Sequence, residues 1–159
     1  MEWMGAMPDL QQMLRVGSRL LAAMLAGAVI GMQREQARKP AGLRTHVLVA
    51  VGTSLYVIAS LEHGMNHDAL SRVIQGVVTG IGFLGAGTIL KLRDEQEIIG
   101  LTTAASVWMT AALGIVIGLG QFALALMATL LAWVVLSTFA RMETRIGRST
   151  HVDGGDGAK

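Results

Sequence analysis

Residues 68–103 read DALSRVIQGVVTGIGFLGAGTILKLRDEQEIIGLTT. The middle of this stretch, Ile74 to Leu90, is apolar and uncharged, and it holds Gly76, Gly80, Gly82, Gly85 and Gly87. In water each glycine costs a helix about 1 kcal/mol relative to alanine, so a soluble helix rarely accumulates so many. A membrane changes the balance. Every backbone group has to bond within its own segment, which all but forces a helix, and glycine lets a neighbouring helix come close. The stretch is predicted to be a central transmembrane helix packed on more than one side.

Helical spacing places Gly76, Gly80 and Gly87 on one stripe with Phe83, and Gly82 and Gly85 on the far side. Asp68, Arg72, Gln75 and Thr79 form a polar row that descends from one end into the apolar zone; such groups usually face protein or water rather than lipid. Gly80-Ile-Gly82-Phe-Leu-Gly85 also fits the G-x-G-x-x-G pattern of dinucleotide sites. That pattern needs a preceding strand and an acid about 20 residues later. The flanks here are membrane-like and Asp94, Glu95 and Glu97 arrive too early, so a nucleotide site is not read.

Working outward, the charges of the 159-residue chain cluster at Met1–Arg19, Arg34–Arg44, Glu62–Arg72, Lys91–Glu97 and Arg141–Lys159. Apolar runs of spanning length, roughly 17–20 residues, separate them. The predicted architecture is an all-α polytopic bundle of about five transmembrane helices: Leu14–Met32, Thr45–Leu61, Ser71–Leu90, Gly100–Leu119 and Phe122–Ala140. Residues 1–140 form the membrane domain, and 141–159 a tail that is basic, then glycine-rich and disordered. Span five is bulky and apolar and is expected at the periphery, against lipid. Glu2 and Asp9 near the start argue against a cleaved signal peptide.

The absence of cysteine excludes disulfides and thiolate metal sites. The basic balance is not a nucleic-acid signal, because basic residues of a membrane protein collect in cytoplasmic loops. Four Lys and Arg lie in Arg34–Arg44, two in Lys91–Glu97 and four in the tail, against Arg15, Arg19 and Arg72 on the other side. This places the N-terminus outside and the C-terminus in the cytoplasm.

A faint internal repeat accompanies the spans. A shift of 58 residues lays Gly27 on Gly85, and Gly42-Leu43-x-Thr45 on Gly100-Leu101-x-Thr103. It also lays the Thr45, Gly52, Tyr56 face of span two on Thr103, Thr110 and Gly114. Both units enter and leave on the same sides, as in parallel-repeat transporters.

The strings Gly31-Met-Gln-Arg34-Glu35, Gly42-Leu-Arg44-Thr45, Gly80-Ile-Gly-Phe-Leu-Gly-Ala-Gly87 with Ile89, and Gly100-Leu-Thr-Thr-Ala-Ala-Ser-Val-Trp108 occur in an order and spacing that resembles the MgtC/SapB family of bacterial inner-membrane proteins. The resemblance covers roughly residues 15–140. It implies a helical inner-membrane fold of four or five spans, a link to growth at low magnesium and, in some pathogens, a part in virulence. Modulation of other membrane proteins is the usual view of the family, and magnesium transport an earlier one. Many members carry a soluble regulatory domain after the membrane part, for which the tail here is short. Members also tend to carry an acid shortly before the arginine of span three, and Asp68, four residues before Arg72, is the candidate.

Asp68 and Arg72 are spaced for an interfacial i,i+4 ion pair. Alternatively, Asp68 with Glu62 and Gln75 could offer oxygens to a hard cation at its point of entry. His63 and His67 have zinc-pair spacing, but Gly64 and Asn66 between them favour solvated loop histidines. Arg34 and Arg44 set topology and meet headgroups. Glu35 is expected to pair with Arg34, Arg38 or Arg44, or to cap the start of span two or four. Ala23, Gly27 and Gly31 make a close-packing row. Thr103, Ser106 and Thr110 are expected to face Gln75 and Thr79, as hydrogen-bond glue or as a polar path. No nucleophile elbow, phosphate loop or H-E-x-x-H motif occurs, so no enzyme and no cofactor are expected. Two functions compete: a regulator that meets the bilayer, a second copy or another membrane protein such as an ion-motive ATPase through glycine faces, and a cation (Mg2+) carrier or channel. A close-packed bundle favours the first, a continuous polar path the second.

Overall fold

The computed structural model describes residues 9–91 and 98–149, with side chains for 9–89 and 99–138. The readings at Glu2, in most of the Lys91–Glu97 loop and in the glycine-rich end of the tail lie outside the described residues. Five helices follow in order: α1 (Leu10–Gln36), α2 (Leu43–Glu62), α3 (His67–Gly87), α4 (Leu101–Gly118) and α5 (Phe122–Ser149). Between α3 and α4 a short antiparallel ribbon pairs β1 (Leu90–Lys91) with β2 (Ile98–Ile99), Leu90 opposite Ile99. Helices α1 to α4 are long and apolar enough to cross a membrane, and α5 adds a shorter apolar stretch, Phe122–Thr138. Each predicted span is thus a helix. One boundary moves: α5 runs past Ala140 through the basic segment to Ser149. The segment holds no proline, and Arg, Met and Glu are good helix formers.

The helix ends have readable causes. Asn66 caps α3, its Oδ1 accepting from Ala69 N at 2.9 Å. Gly100 opens α4 at φ +96°, and a Cβ there would lie 2.0 Å from Thr88 O. Only glycine fits that turn.

The bundle is organised around α2 and α4, which run parallel side by side. Gly114 presses on Ala50 and Thr53, and Gly118 on Ser54 and Val57. Helix α1 lies across both and packs mainly on α2. Its Gly27 and Gly31 bring it against the α2 backbone, where a Cβ would come within 2.7 Å of His46 O and of Leu43 Cα respectively. Helix α5 covers α1 and α4 from outside, burying Ala125 and Thr129 while Leu126, Met127 and Leu131 stay exposed, as a lipid-facing helix does.

The predicted central helix is peripheral. Helix α3 rests on α4 and only lightly on α2, fully buries Ile81 and Gly85 alone, and leaves Phe83 82% exposed. A Cβ on Gly76, Gly80, Gly82 or Gly87 would meet nothing within 4 Å. The physical reason is that lipid and helix interior are about equally apolar, so glycine content does not tell which one a face meets.

The repeat has a structural counterpart. The shift that carries Gly27 to Gly85 carries His46 to Ala104, and each glycine meets its partner: Gly27 His46, and Gly85 Ala104 at 3.7 Å. Buried Ala23 likewise maps onto buried Ile81.

Candidate functional site

The charged side chain that penetrates deepest among the described residues is Arg34, at the end of α1 and 3% exposed. Its Nη2 donates to Thr103 Oγ1 at 2.7 Å, in the first turn of α4. Beside it lies His46 of α2, 0% exposed. The imidazole Nδ1 stands 2.9 Å from Gly42 O and Nε2 3.2 Å from Ser106 Oγ. With Nδ1–H donating to the carbonyl, Nε2 accepts. The one Ser106 proton then serves either His46 or Thr103 O, which is 2.8 Å away. A guanidinium, an imidazole and two hydroxyls therefore join three helices at one level of the bundle.

Glu35, next to Arg34, points the other way. Its Oε2 accepts from Leu43 N at 2.8 Å. Of the roles expected of Glu35, the structure shows the cap of span two: Gly42 has no side chain to cap the helix, so a carboxylate from α1 supplies the acceptor at its positive end. At the opposite end of the bundle Arg19 Nη1 donates to Gly118 O at 2.9 Å, closing the negative end of α4. Helix α1 thus carries one charge for the start of α2 and one for the end of α4. Glu35→Ala is expected to cost about 1 kcal/mol and Glu35→Gln much less, because the amide oxygen still accepts. Thermal unfolding of the two variants in detergent checks this, and equal losses would remove the cap.

The other predicted site residues are placed as follows. Thr103, Ser106 and Thr110 are buried, but Thr103 and Ser106 meet α1 and α2 rather than Gln75 and Thr79, and Thr110 bonds back to Ser106 O. The Asp68, Arg72, Gln75, Thr79 row is exposed on the side of α3 opposite Ile81. Thr79 Oγ1 bonds back to Gln75 O at 2.9 Å. Among the described residues no ion pair joins Asp68 to Arg72, and no group of three or more His, Asp or Glu converges on a point. Glu62 accepts from Gln12 Nε2 and does not meet Asp68. His63 closes α2, its Nδ1 2.8 Å from Ala59 O, and His67 opens α3; both are exposed. Arg44 and Thr45 are exposed on α2.

Two residues escaped the sequence reading. His46 stands directly after the Gly42-Leu-Arg44-Thr45 string and carries the α2 side of the cluster, yet one histidine in an apolar run gives no spacing signal. Arg19 reads as an interfacial charge until α4 is seen to end beside it.

Fold and site define a multi-pass α-helical membrane protein whose buried polar groups tie α1, α2 and α4 together. The chain belongs to the MgtC family, whose profile matches residues 20–145. It is 46% identical to SrpB of Synechococcus elongatus over 136 residues, covering 79% of this chain and 75% of SrpB. It is 44% identical to YhiD of Escherichia coli K12, whose name assigns it provisionally to magnesium transport, over 80% of this chain and 62% of YhiD. It is 46% identical to MgtC of Salmonella typhimurium over 70% of this chain and 47% of MgtC. The chain therefore spans about half the length of MgtC and under two thirds of YhiD. No solved structure matches it.

Proposed function

We propose that this protein resides in the bacterial inner membrane, with its N-terminus outside and C-terminus in the cytoplasm, and supports adaptation to low magnesium by modulating other membrane proteins. In this reading it neither carries ions nor catalyses a reaction. The observation that carries it is the character of the buried polar groups. Among the described residues they are Arg34, His46 and hydroxyls, with no carboxylate. The hydroxyls of Thr53, Thr110 and Thr129 bond to their own helix backbone. A divalent cation prefers carboxylate and water oxygens, and here it would meet a guanidinium.

The surface offered to a partner is α3. Its Gly76 and Gly80 line an open groove of about 500 Å3 against Thr53 and Tyr56 of α2, where a helix of a second copy or of an ion-motive ATPase could approach closely. The competing reading, magnesium transport, takes its support from the name of YhiD. Liposomes holding only this protein are expected to show no magnesium flux above protein-free vesicles; flux that Asp68→Ala abolishes would establish the carrier instead. In cells, Gly80→Leu is expected to leave protein levels unchanged and to abolish support of growth at low magnesium. Full growth with Gly80→Leu would remove α3 as the partner face.

A further inference from the structure

A second groove, about 590 Å3 in volume, lies between the last turns of α1 and the middle of α5. Val29 and Met32 line it toward the bundle middle, Gln33 and Gln36 toward the end of α1, and Trp133 and Ser137 face them from α5. Gln33 ties the two helices together, its Nε2 donating to Leu136 O at 3.2 Å. Its Oε1 is buried and accepts no hydrogen bond among the described residues. A buried acceptor without a donor is a place for one.

The lining is graded along the helix axes. An apolar end gives way to two amides, a hydroxyl and an indole. Beyond these, both walls run into basic sequence. Arg38 and Lys39 follow α1 within three residues. On α5, Arg141, Arg145 and Arg148 stand at the fourth, eighth and eleventh positions after Ser137, with Glu143 the one acid between them. The carbonyl end of α1 does not repel an anion strongly. The N–H groups of Ala37, Arg38 and Lys39 bond to Gln33, Glu35 and Arg34 O, all at 3.0–3.1 Å. Glu35, the acid in the last turn of α1, is engaged at Leu43 N.

Apolar chain, hydrogen-bonding belt and cationic end occur in the order of the parts of an anionic phospholipid. We propose that this groove is a specific site for one anionic phospholipid whose headgroup carries free hydroxyls, as phosphatidylglycerol does. An acyl chain lies along Val29 and Met32, the phosphate lies toward the basic stretches that continue α1 and α5, and a turn of the Gln33 amide brings Oε1 to the groove surface, where a headgroup hydroxyl donates to it. The site is separate from the α3 face and from the Arg34 cluster.

The test uses the full chain with Trp3→Phe and Trp108→Phe, leaving Trp133 as the sole indole, in phosphatidylcholine nanodiscs. Brominated phosphatidylglycerol or brominated phosphatidylcholine is added at equal mole fraction. Phosphatidylglycerol is expected to quench Trp133 about fivefold more effectively, the factor that one basic residue near an anionic lipid supplies. Gln33→Leu combined with Gln36→Leu should equalise the two lipids, and Arg38→Gln, outside the helix and its packing, should narrow the difference. Equal quenching in the parent protein would mean bulk lipid contact only and overturn the site. Relief of the quenching by soluble glycerol phosphate would overturn the lipid in favour of a free phosphoester.

Discussion

Gly114→Ala is expected to destabilise the bundle by about 3 kcal/mol or more, at the upper end of what overpacking costs. The methyl would sit 1.9 Å from Thr53 Oγ1 and 2.4 Å from Ala50 O. A threonine rotamer can turn away, but a carbonyl oxygen cannot, so α2 and α4 have to separate. Separation also loosens Gly118 from Val57 and the Ser106–His46 contact, because all lie on the same seam. Gly76→Ala and Gly80→Ala are the controls. Each adds a methyl to open space and is expected to change stability by no more than about 1 kcal/mol. The four proteins can be compared by the detergent concentration or temperature that unfolds them. Equal behaviour of Gly114→Ala and Gly80→Ala would mean that the α2–α4 approach is not as close as described.

Arg34→Ala is expected to cost on the order of 3 kcal/mol, since it removes a charge-assisted hydrogen bond and empties a buried site. Thr103→Val should cost about 1.5–3 kcal/mol, because it withdraws the oxygen on which the guanidinium donates. The double variant should lose less than the sum of the two, with a coupling of about 0.5–3 kcal/mol, and additive losses would show that the 2.7 Å contact contributes nothing. Arg34→Met asks a further question. A buried ionic group replaced by an apolar side chain of similar volume is often neutral or stabilising. A folded, stable Arg34→Met protein that fails to support growth at low magnesium would assign the arginine to function rather than to folding.

The helices were legible in the chain because spanning length and hydropathy are local properties. Thr45–Leu61 became Leu43–Glu62 and Gly100–Leu119 became Leu101–Gly118. The cap by Glu35 was one of the roles the sequence offered it, beside pairing with Arg34, Arg38 or Arg44; the acid stands near the end of α1, eight residues before α2 begins, and only the fold chose among them. Faces were a different matter. On α3 the polar row from Asp68 to Thr79 invited an interior partner, and the structure turns it outward. Val77 and Ile81 face α2 and α4 instead. On α4 the Thr103, Ser106, Thr110 stripe is buried, but Thr103 and Ser106 found their partners on α1 and α2 and Thr110 bonds within α4.

The sequence by itself determined the class of protein, the number and approximate bounds of its helices and its family. These depend on runs of residues whose transfer from water to hydrocarbon is decided one segment at a time. Only the tertiary structure decided which pair of helices forms the centre, that Arg34 of α1 and His46 of α2 converge on neighbouring hydroxyls of α4, and that α3 leaves its glycines open. Those outcomes depend on backbone approaches of a few ångströms between segments. In a solvent as apolar as the protein interior, hydropathy carries no information about them.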